Sequence, residues 1–502
     1  MDETLAQIAA VVGAAGAVLL VLPPPRRVAL FGGFAFLTCA EAMLAVSLLP
    51  RHDLDRLTSA KGGAAVVVGL LVMAAGAWAL VHWPTVVPLV VLAAAPFRLP
   101  VELGSQDAFL LLPLYLVLGA ASVALLARAF RGDDLVRIPV WLATPAAALI
   151  SWASVSLLWA RDVEQGSITL LFFIFPFSAL LAVVARSPFA AWLPRALAVT
   201  LVGLATIFAV IGLYQAWTHT LLFAQDLRVA NAYTTYFRVT SLFKDPSIYG
   251  RSLVLAIALL VTLLWLGRVR PALGIPLAAV LFAGLYFSYS QSSMVVLFVT
   301  VLAVTVLLAD RVSRTAIVAV AVAIAIAGAS LAALSARGDG VGRATSGRSR
   351  LVSVTGHVIL NNPVVGVGIG SQPLAARREL DTRRRAAKNA SHTTPLTVTA
   401  ELGVVGLALY VAFLAAAVVL LLRVTRSRLV TGLGLSVCLL VLFLHSLFYS
   451  GFFEDPIMWG LLGFAVALVA APAAAVAAEP DPSAETSVLR RLAARWGAKA
   501  TA

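Results

Sequence analysis

The sequence predicts a polytopic all-α membrane protein, and three observations indicate this class. The 502 residues are 61% hydrophobic and only 12% charged, whereas a soluble domain carries about 25% charged residues. The mean hydropathy is +0.98. Apolar runs recur along most of the chain and are continuous rather than alternating, which favours helices across a hydrocarbon core of about 30 Å.

The apolar runs predict roughly 13–15 membrane spans. The first run follows an acidic start, unlike the basic start of a cleaved signal peptide. The segment 85–97 is short and flanked by proline, so we expect it to be re-entrant or a half-helix. The expected spans are 4–22, 28–49, 62–83, 85–97, 107–129, 138–159, 166–185, 190–217, 248–267, 272–288, 293–309, 315–334, 396–422, 430–448 and 457–477.

Charge and cysteine content narrow the function classes. The formal net charge is +14, and in a membrane protein the first question is which side of the membrane carries this charge. We therefore expect membrane lipids, and not nucleic acid, as the surroundings of these charges. Cys39 and Cys438 both lie in apolar runs, which argues against a disulfide framework or a cysteine zinc site.

The short loops of the second half predict the orientation. The connections 267–270, 310–314 and 423–428 are basic and alternate with connections that are not, so we expect them in the cytoplasm. The segments then expected outside are 218–247, 335–395 and 449–456. The basic tail is expected to lie amphipathically on the inner surface.

The large outer loop 335–395 carries ten Arg and Lys against three Asp and Glu, a net charge of +7. A loop of this length is nearly free of the topology rule, so its charge needs another reason. One alternative is a solvated loop that touches lipid phosphates. The other is a site for an anionic ligand, because Arg binds phosphate oxygens with two parallel hydrogen bonds.

The segment YFRVTSLFKDPSIYGRS places three cations, Arg238, Lys244 and Arg251, around an Asp-Pro turn. A helix beginning at 247–250 would also favour an anion. The alternative is that these cations extend to the membrane interface without a ligand.

Two further segments follow in the outer loop. SGRSRLVSVTGHVILNNPVVGVGIGS (346–371) contains Arg348 and Arg350 and a Gly-rich turn, which is a weak signal by itself. ASHTTPLTVTAELGVVG (390–406) contains His392, one of only 6 histidines. An imidazole titrates near neutrality and can accept a proton, although a lone His more often has a structural role. Gly403 and Gly406 would allow close helix packing.

These three segments, in this order, resemble the O-antigen ligase/O-antigen polymerase superfamily of bacterial membrane proteins. Arg238, Phe243 and Pro246 match its first motif, in which Ser241 and Ser247 replace the usual Gly and Asn. SGR (346–348) and PVVGVG (363–368) match the second, with Val352 where an aromatic is usual. The third, His-x(8)-Glu-x-Gly-x-x-Gly, is matched by His392, Glu401, Gly403 and Gly406. A Ser-Arg pair often found before a central helix is absent, and Ser293 stands there.

The resemblance implies a GT-C-like glycosyltransferase that acts on an undecaprenyl-diphosphate-linked glycan at the outer face of the cytoplasmic membrane. It implies inverting transfer to a glycan, lipid or protein acceptor, without a metal or other cofactor. His392 would be the base, and Arg348 and Arg238 would stabilise the leaving diphosphate. Arg350, Lys244 and Arg251 would help to bind the diphosphate, with Glu401, Gly403 and Gly406 in support.

The expected regions are helices 1–217, an O-antigen ligase-related catalytic region 218–477 and the cytoplasmic tail 478–502. Polymerase and ligase differ only in the acceptor, and the motifs do not separate them. The rival class is a transporter or flippase of an anionic lipid-linked solute. It would predict mid-span charges and an inverted repeat with broken helices, and the sequence offers few such charges and no clear repeat. A third alternative is a catalytically dead scaffold.

Overall fold

The computed structural model describes residues 1–49, 59–103, 106–223, 225–232, 236–309, 348–379, 391, 393–449 and 451–471. Within these ranges, twelve helices are long and apolar enough to cross a membrane. The protein is therefore a polytopic all-α membrane protein, as predicted. The expected span 315–334, the connection 310–314 and the tail 478–502 lie outside the described residues.

The described chain forms two compact units. Unit 1 comprises Met1–Leu193, Leu351–Leu420 and Ser450–Val476. Unit 2 comprises Pro194–Arg350, Leu421–Tyr449 and Ala477–Ala502.

The helices of unit 1 are buried around α8, in which every residue is buried. Helix α1 packs on α2 and α6, α3 packs on α5, and α18 packs on α8. A π-helical turn, Leu170–Ile174, separates α7 from α8. The elements that begin in unit 1 are α1 (Glu3–Val21), α2 (Arg27–Leu48), α3 (Ala60–His82), α4 (Val87–Ala94), β1 (Leu99–Leu103), β2 (Gln106–Leu110), α5 (Leu112–Arg131), α6 (Val140–Val155), α7 (Val163–Thr169), α8 (Phe175–Ala185), α15 (Gln372–Glu379), α16 (Thr394–Ser427) and α18 (Pro456–Ala470).

In unit 2, α11 is central and packs against α12, α13 and α17. Its N-terminus is built by Asp245, which caps it, and by Pro246 in the first turn. The remaining elements are α9 (Leu193–Thr218), α10 (Gln225–Ala232), α11 (Pro246–Trp265), α12 (Pro271–Ser288), α13 (Gln291–Leu308), α14 (Arg348–Asn361, in unit 1 from Leu351) and α17 (Leu429–Ser446).

The expected span 107–129 begins later than predicted. Residues Leu99–Leu110 form an antiparallel hairpin, with Leu99 opposite Leu110, and the helix starts only at Leu112. Pro113 follows in the first helical turn, where its missing N–H costs nothing. The expected segment 85–97 is a short helix after a 3-10 turn at Pro84–Val86, as its length predicted.

Candidate active site

The first motif segment includes a turn, 240–243, that is held by a buried glutamine of α9. The Gln215 side-chain oxygen accepts hydrogen bonds from the backbone N–H groups of Thr240 (3.2 Å) and Ser241 (2.8 Å). Its amide nitrogen donates to the Ser241 carbonyl at 2.8 Å. One side chain thus satisfies three backbone groups, and the turn is fixed in front of α11.

Arg238 lies two residues before this turn and is half-buried. Its Nε donates to the Ser288 carbonyl at 3.3 Å, at the C-terminal end of α12. The backbone N–H of Val239 donates to the Phe287 carbonyl at 3.1 Å, which holds the segment against α12. Farther along the same segment, Lys244 is exposed and Arg251 is partly buried.

The N-terminus of α11 differs from the expected anion site. The Asp245 carboxylate accepts from the Ser247 N–H at 2.6 Å and therefore occupies the capping position. A carboxylate there competes with an anionic ligand for the same N–H groups. Any anion bound near this turn must rely on cationic side chains instead.

Ser241 explains why glycine is usual at this position of the motif. Its φ is +54°, in the left-handed region that disfavours side chains. Its hydroxyl is buried without a hydrogen-bond partner in the described structure.

We expect Ser241→Gly to stabilise the protein by about 0.5–1 kcal/mol. The reason is that the relief of backbone strain at φ +54° outweighs the conformational entropy that glycine adds to the unfolded chain. The matched control is Ser247→Gly, in the first turn of α11, which should destabilise by roughly 0.5–1 kcal/mol. Thermal unfolding in detergent measures both. A lower melting temperature for Ser241→Gly would contradict the strain argument.

A serine cluster lies beside this turn, where α12 ends and α13 begins. The Ser290 hydroxyl lies 2.9 Å from that of Ser293, and the Ser293 hydroxyl lies 3.4 Å from His445 Nε2 on α17. Gly250 permits this packing, because a Cβ there would lie 2.5 Å from the Ser293 hydroxyl oxygen. Ser293 therefore contributes to helix packing and contacts an imidazole.

The second and third motif segments come together in unit 1. We call residues 363–371 the glycine loop. Its N–H groups at Val367 and Gly368 donate to the Ala400 and Glu401 carbonyls of α16, at 2.9 and 2.8 Å. In return, the Val404 N–H donates to the Pro363 carbonyl at 2.9 Å. Two motifs that are separate in the sequence thus form one hydrogen-bonded structure.

This pairing depends on a break in α16 at Gly403, whose φ and ψ are 69° and −169°. Such a conformation is essentially restricted to glycine. The break leaves carbonyls without their usual helical partners. The glycine loop satisfies two of them, and the Trp152 indole N–H satisfies the Leu402 carbonyl at 2.9 Å.

The glycines are required by close backbone approach. A Cβ at Gly403 would lie 2.0 Å from the Val364 carbonyl oxygen, and one at Gly366 would lie 2.3 Å from the Glu401 carbonyl. On the other side of the loop, a Cβ at Gly368 would lie 2.3 Å from the Ala160 Cα. The glycines of this turn therefore shape the loop. Gly406 lies one turn beyond the break and faces Leu402.

Glu401 sits immediately before the break and points towards the end of the glycine loop. Its carboxylate accepts from the Gln372 N–H at 3.2 Å, at the N-terminus of α15. The Gln372 side chain donates to the Thr355 hydroxyl of α14 at 3.0 Å. Glu401 thus ties α16 to α15.

His392 lies outside the described residues, but both of its neighbours are held at the start of α16. The Ser391 hydroxyl bonds the Thr397 hydroxyl and donates to the Thr393 carbonyl at 3.0 Å. The Thr393 carbonyl also accepts from the Thr397 N–H at 3.0 Å. Ser391 and Thr393 are therefore each bonded to the first turn of α16.

Unit 1 contains a cavity of about 450 Å³, which we call the acidic cavity. Asp162, Glu401 and Glu454 supply three carboxyl groups to its lining, against one basic residue, Arg377. The other lining residues include the aromatic side chains Phe452, Phe453 and Trp459 and the polar side chains Gln165, Thr169, Gln372, Thr394 and Thr397.

The pair Glu454 and Asp455 divides two roles between neighbouring residues. Asp455 caps α18 by accepting from the Ile457 N–H at 2.9 Å, whereas Glu454 lines the acidic cavity.

Asp162 was missed by sequence reasoning. It caps α7 by accepting from the Gln165 N–H at 3.1 Å, and such a capping pattern carries no sign of a cavity.

The predicted site residues thus fall into three groups. Glu401, Gly403 and Gly406 lie in unit 1 on α16, and Arg238, Lys244 and Arg251 lie in unit 2 around the N-terminus of α11. Arg348 is the first residue of α14 and Arg350 lies in its first turn.

These features define a polytopic helical membrane protein in which a glycine loop interlocks with a broken helix. Residues 276–411 match the family model described as O-Antigen ligase. The match supports membership in the O-antigen ligase superfamily and confirms the resemblance carried by the motifs. The match also supports a membrane function in polysaccharide assembly, of ligase or polymerase type. No curated protein matches the chain.

Proposed function

We propose that the protein transfers a glycan from undecaprenyl diphosphate to an acceptor hydroxyl at the outer face of the cytoplasmic membrane. The reaction inverts the anomeric centre and requires no metal. Its product is a surface polysaccharide of the cell envelope, or a precursor of one. The proposed catalytic region is 218–477.

One observation carries this proposal. The two motifs that match the family in its matched segment, 363–368 and 401–406, are hydrogen-bonded to each other in unit 1. Gly366 and Gly403 stand where a Cβ would collide with the backbone of the partner motif. The residue types of the two motifs are therefore explained by one packing arrangement, which supports the resemblance more strongly than sequence similarity alone.

The proposed chemistry follows from the bonds that change. His392 accepts the proton of the acceptor hydroxyl as its oxygen attacks the anomeric carbon. The bond from that carbon to the diphosphate oxygen breaks, and negative charge develops on the leaving lipid diphosphate. Arg348 and Arg238 stabilise this charge, with Arg350, Lys244 and Arg251 in the binding of the diphosphate.

The proposed orientation rests on charge. The short basic connections at 267–270 and 423–428 favour the cytoplasm. The segments that carry the proposed site residues then lie outside, where a lipid-linked glycan awaits transfer after it has crossed the membrane.

The test is transfer by the purified full chain in liposomes, with EDTA present and the host's undecaprenyl diphosphate repeat unit as substrate. A ladder of longer lipid-linked glycans would establish a polymerase. A single transfer only after an acceptor is added would establish a ligase. Repeat units that cross the bilayer without any transfer would overturn the proposal in favour of a transporter.

Replacing Arg348 by alanine should lower kcat/KM by about ten- to a hundredfold and weaken donor binding, because a charge-assisted contact to the diphosphate is lost. Arg348→Lys should recover only part of this loss, since an ammonium cannot form two parallel bonds. Arg378→Ala is the matched control, because Arg378 is an exposed cation of α15. Equal losses in Arg348→Ala and Arg378→Ala would show a general effect of loop charge.

A further inference from the structure

The acidic cavity of unit 1 is not explained by the proposed binding of the diphosphate. Its volume of about 450 Å³ falls within the roughly 300–1,000 Å³ of pockets that hold small molecules. Its lining comes from six places in the chain, namely the C-terminal half of α6, the segment of α7 up to Ile174, the end of the glycine loop, α15, the start of α16 and residues 451–459. The cavity is therefore formed by the tertiary fold of unit 1 and not by a single loop.

The charge of the lining excludes one class of ligand. Three carboxyl groups, from Asp162, Glu401 and Glu454, face a single guanidinium, from Arg377. Like charges at short range raise the free energy of the bound state, so a diphosphate is disfavoured here. Within the described ranges, no group of three or more His, Cys, Asp or Glu side chains is arranged to hold a metal ion.

The same lining suits a sugar ring. Carboxylate oxygens accept hydrogen bonds from hydroxyl or amino groups, and such charge-assisted bonds are the stronger kind. Phe453 lies at the centre of an aromatic cluster, with its ring centroid 5.5 Å from that of Tyr410 and 6.3 Å from that of Trp459. The Trp459 indole N–H donates to the Phe453 carbonyl at 3.0 Å, which fixes both residues. A rigid aromatic wall beside acceptor oxygens matches the apolar and polar faces of a sugar.

The position of the cavity indicates which sugar enters. Thr394 and Thr397 line it at the first turn of α16, and Thr394 is only two residues beyond His392. The donor sugar is bonded directly to the diphosphate, which the acidic lining disfavours. The acceptor sugar reacts through a free hydroxyl, which the proposed base deprotonates, and it has no diphosphate at that position.

We propose that the acidic cavity is the acceptor subsite and binds an uncharged or amino-bearing sugar ring, a role that rests on the proposed transfer reaction. The recognition is by hydrogen bonds to Glu401, Glu454 and Asp162 and by packing on Phe453.

The experiment uses the full chain in nanodiscs and two probes. One is the lipid-free oligosaccharide released by mild acid from the host's lipid-linked repeat unit, and the other is undecaprenyl diphosphate without sugar. Glu454→Gln, nearly isosteric, should weaken oligosaccharide binding by about tenfold or more, as the loss of a charge-assisted bond predicts. Its binding of undecaprenyl diphosphate should be unchanged. Glu164→Gln is the matched control, since Glu164 is an exposed acid of α7 that does not line the cavity.

A second arm supplies the oligosaccharide as acceptor at saturating donor. Glu454→Gln and Phe453→Ala should raise its KM by about tenfold and leave the donor KM unchanged. Wild-type oligosaccharide binding in Glu454→Gln, or a loss confined to undecaprenyl diphosphate, would overturn the subsite while transfer by the wild type stands. Oligosaccharide binding without any transfer by the wild type would instead overturn the proposed function and show a sugar-binding cavity.

Discussion

Replacing His392 by alanine should reduce glycan transfer by about 10²–10⁴-fold, the usual contribution of a general base. The acceptor hydroxyl holds its proton tightly, and an imidazole that titrates near neutrality is suited to remove it. Donor binding should stay within about twofold of wild type, because the base acts only as the acceptor attacks. His392→Gln should lose as much activity as His392→Ala, since an amide keeps hydrogen bonding but not basicity.

The chain offers a matched control in His357, an exposed histidine of α14. His357→Ala should leave transfer unchanged in the same liposome assay. Loss of donor binding in His392→Ala would assign the residue to the binding of the diphosphate instead. Wild-type turnover in His392→Gln would show that no side-chain base is needed.

The second large effect is structural. Gly403→Ala should destabilise unit 1 by roughly 1–3 kcal/mol from backbone strain alone, because its φ and ψ are restricted to glycine. A further cost comes from the added Cβ, which would lie 2.0 Å from the Val364 carbonyl oxygen. The clash cannot be relieved easily, because residue 403 and the Val364 carbonyl both belong to backbone segments that are hydrogen-bonded to each other.

Gly356→Ala is the matched control for this substitution. Gly356 lies within α14, and a Cβ there meets nothing within 4 Å. Alanine at that position should stabilise the helix by about 0.5–1 kcal/mol. The melting temperature should fall in Gly403→Ala and rise in Gly356→Ala, and the transfer rate should fall only in Gly403→Ala. Unchanged melting of Gly403→Ala would mean that the break in α16 is not required.

Most of the helical fold was predictable from the sequence, because the thickness of a bilayer sets the length of an apolar run. The expected span 248–267 is the helix Pro246–Trp265, and 430–448 is Leu429–Ser446. The break at Gly403 was not predictable, since the apolar run continues through it without a change of pattern. Only the approach of the glycine loop, from a separate part of the chain, makes the break favourable.

Some features of the candidate site were likewise predictable from the sequence, and others were not. The motif residues were found by their order along the chain, but the hydrogen bond from the Gln372 N–H to the Glu401 carboxylate joins segments that the sequence does not show to be close. Asp162 was missed because its pattern is that of a helix cap and the cavity that it lines is formed by distant segments. Ser241 looked like a departure from the motif, and only its positive φ shows what the replaced glycine provided.

The interlock also sets the order in which the protein is completed. Unit 1 is discontinuous, and residues 1–193 are synthesised before the whole of 194–350 and before the glycine loop. The Arg161 N–H, the Ser156 hydroxyl and the Trp152 indole find their partners at Val367, Ile369 and Leu402 only once translation has passed the broken helix. The polar contacts that the first helices make with the glycine loop and α16 are therefore completed only after the last third of the sequence has been synthesised.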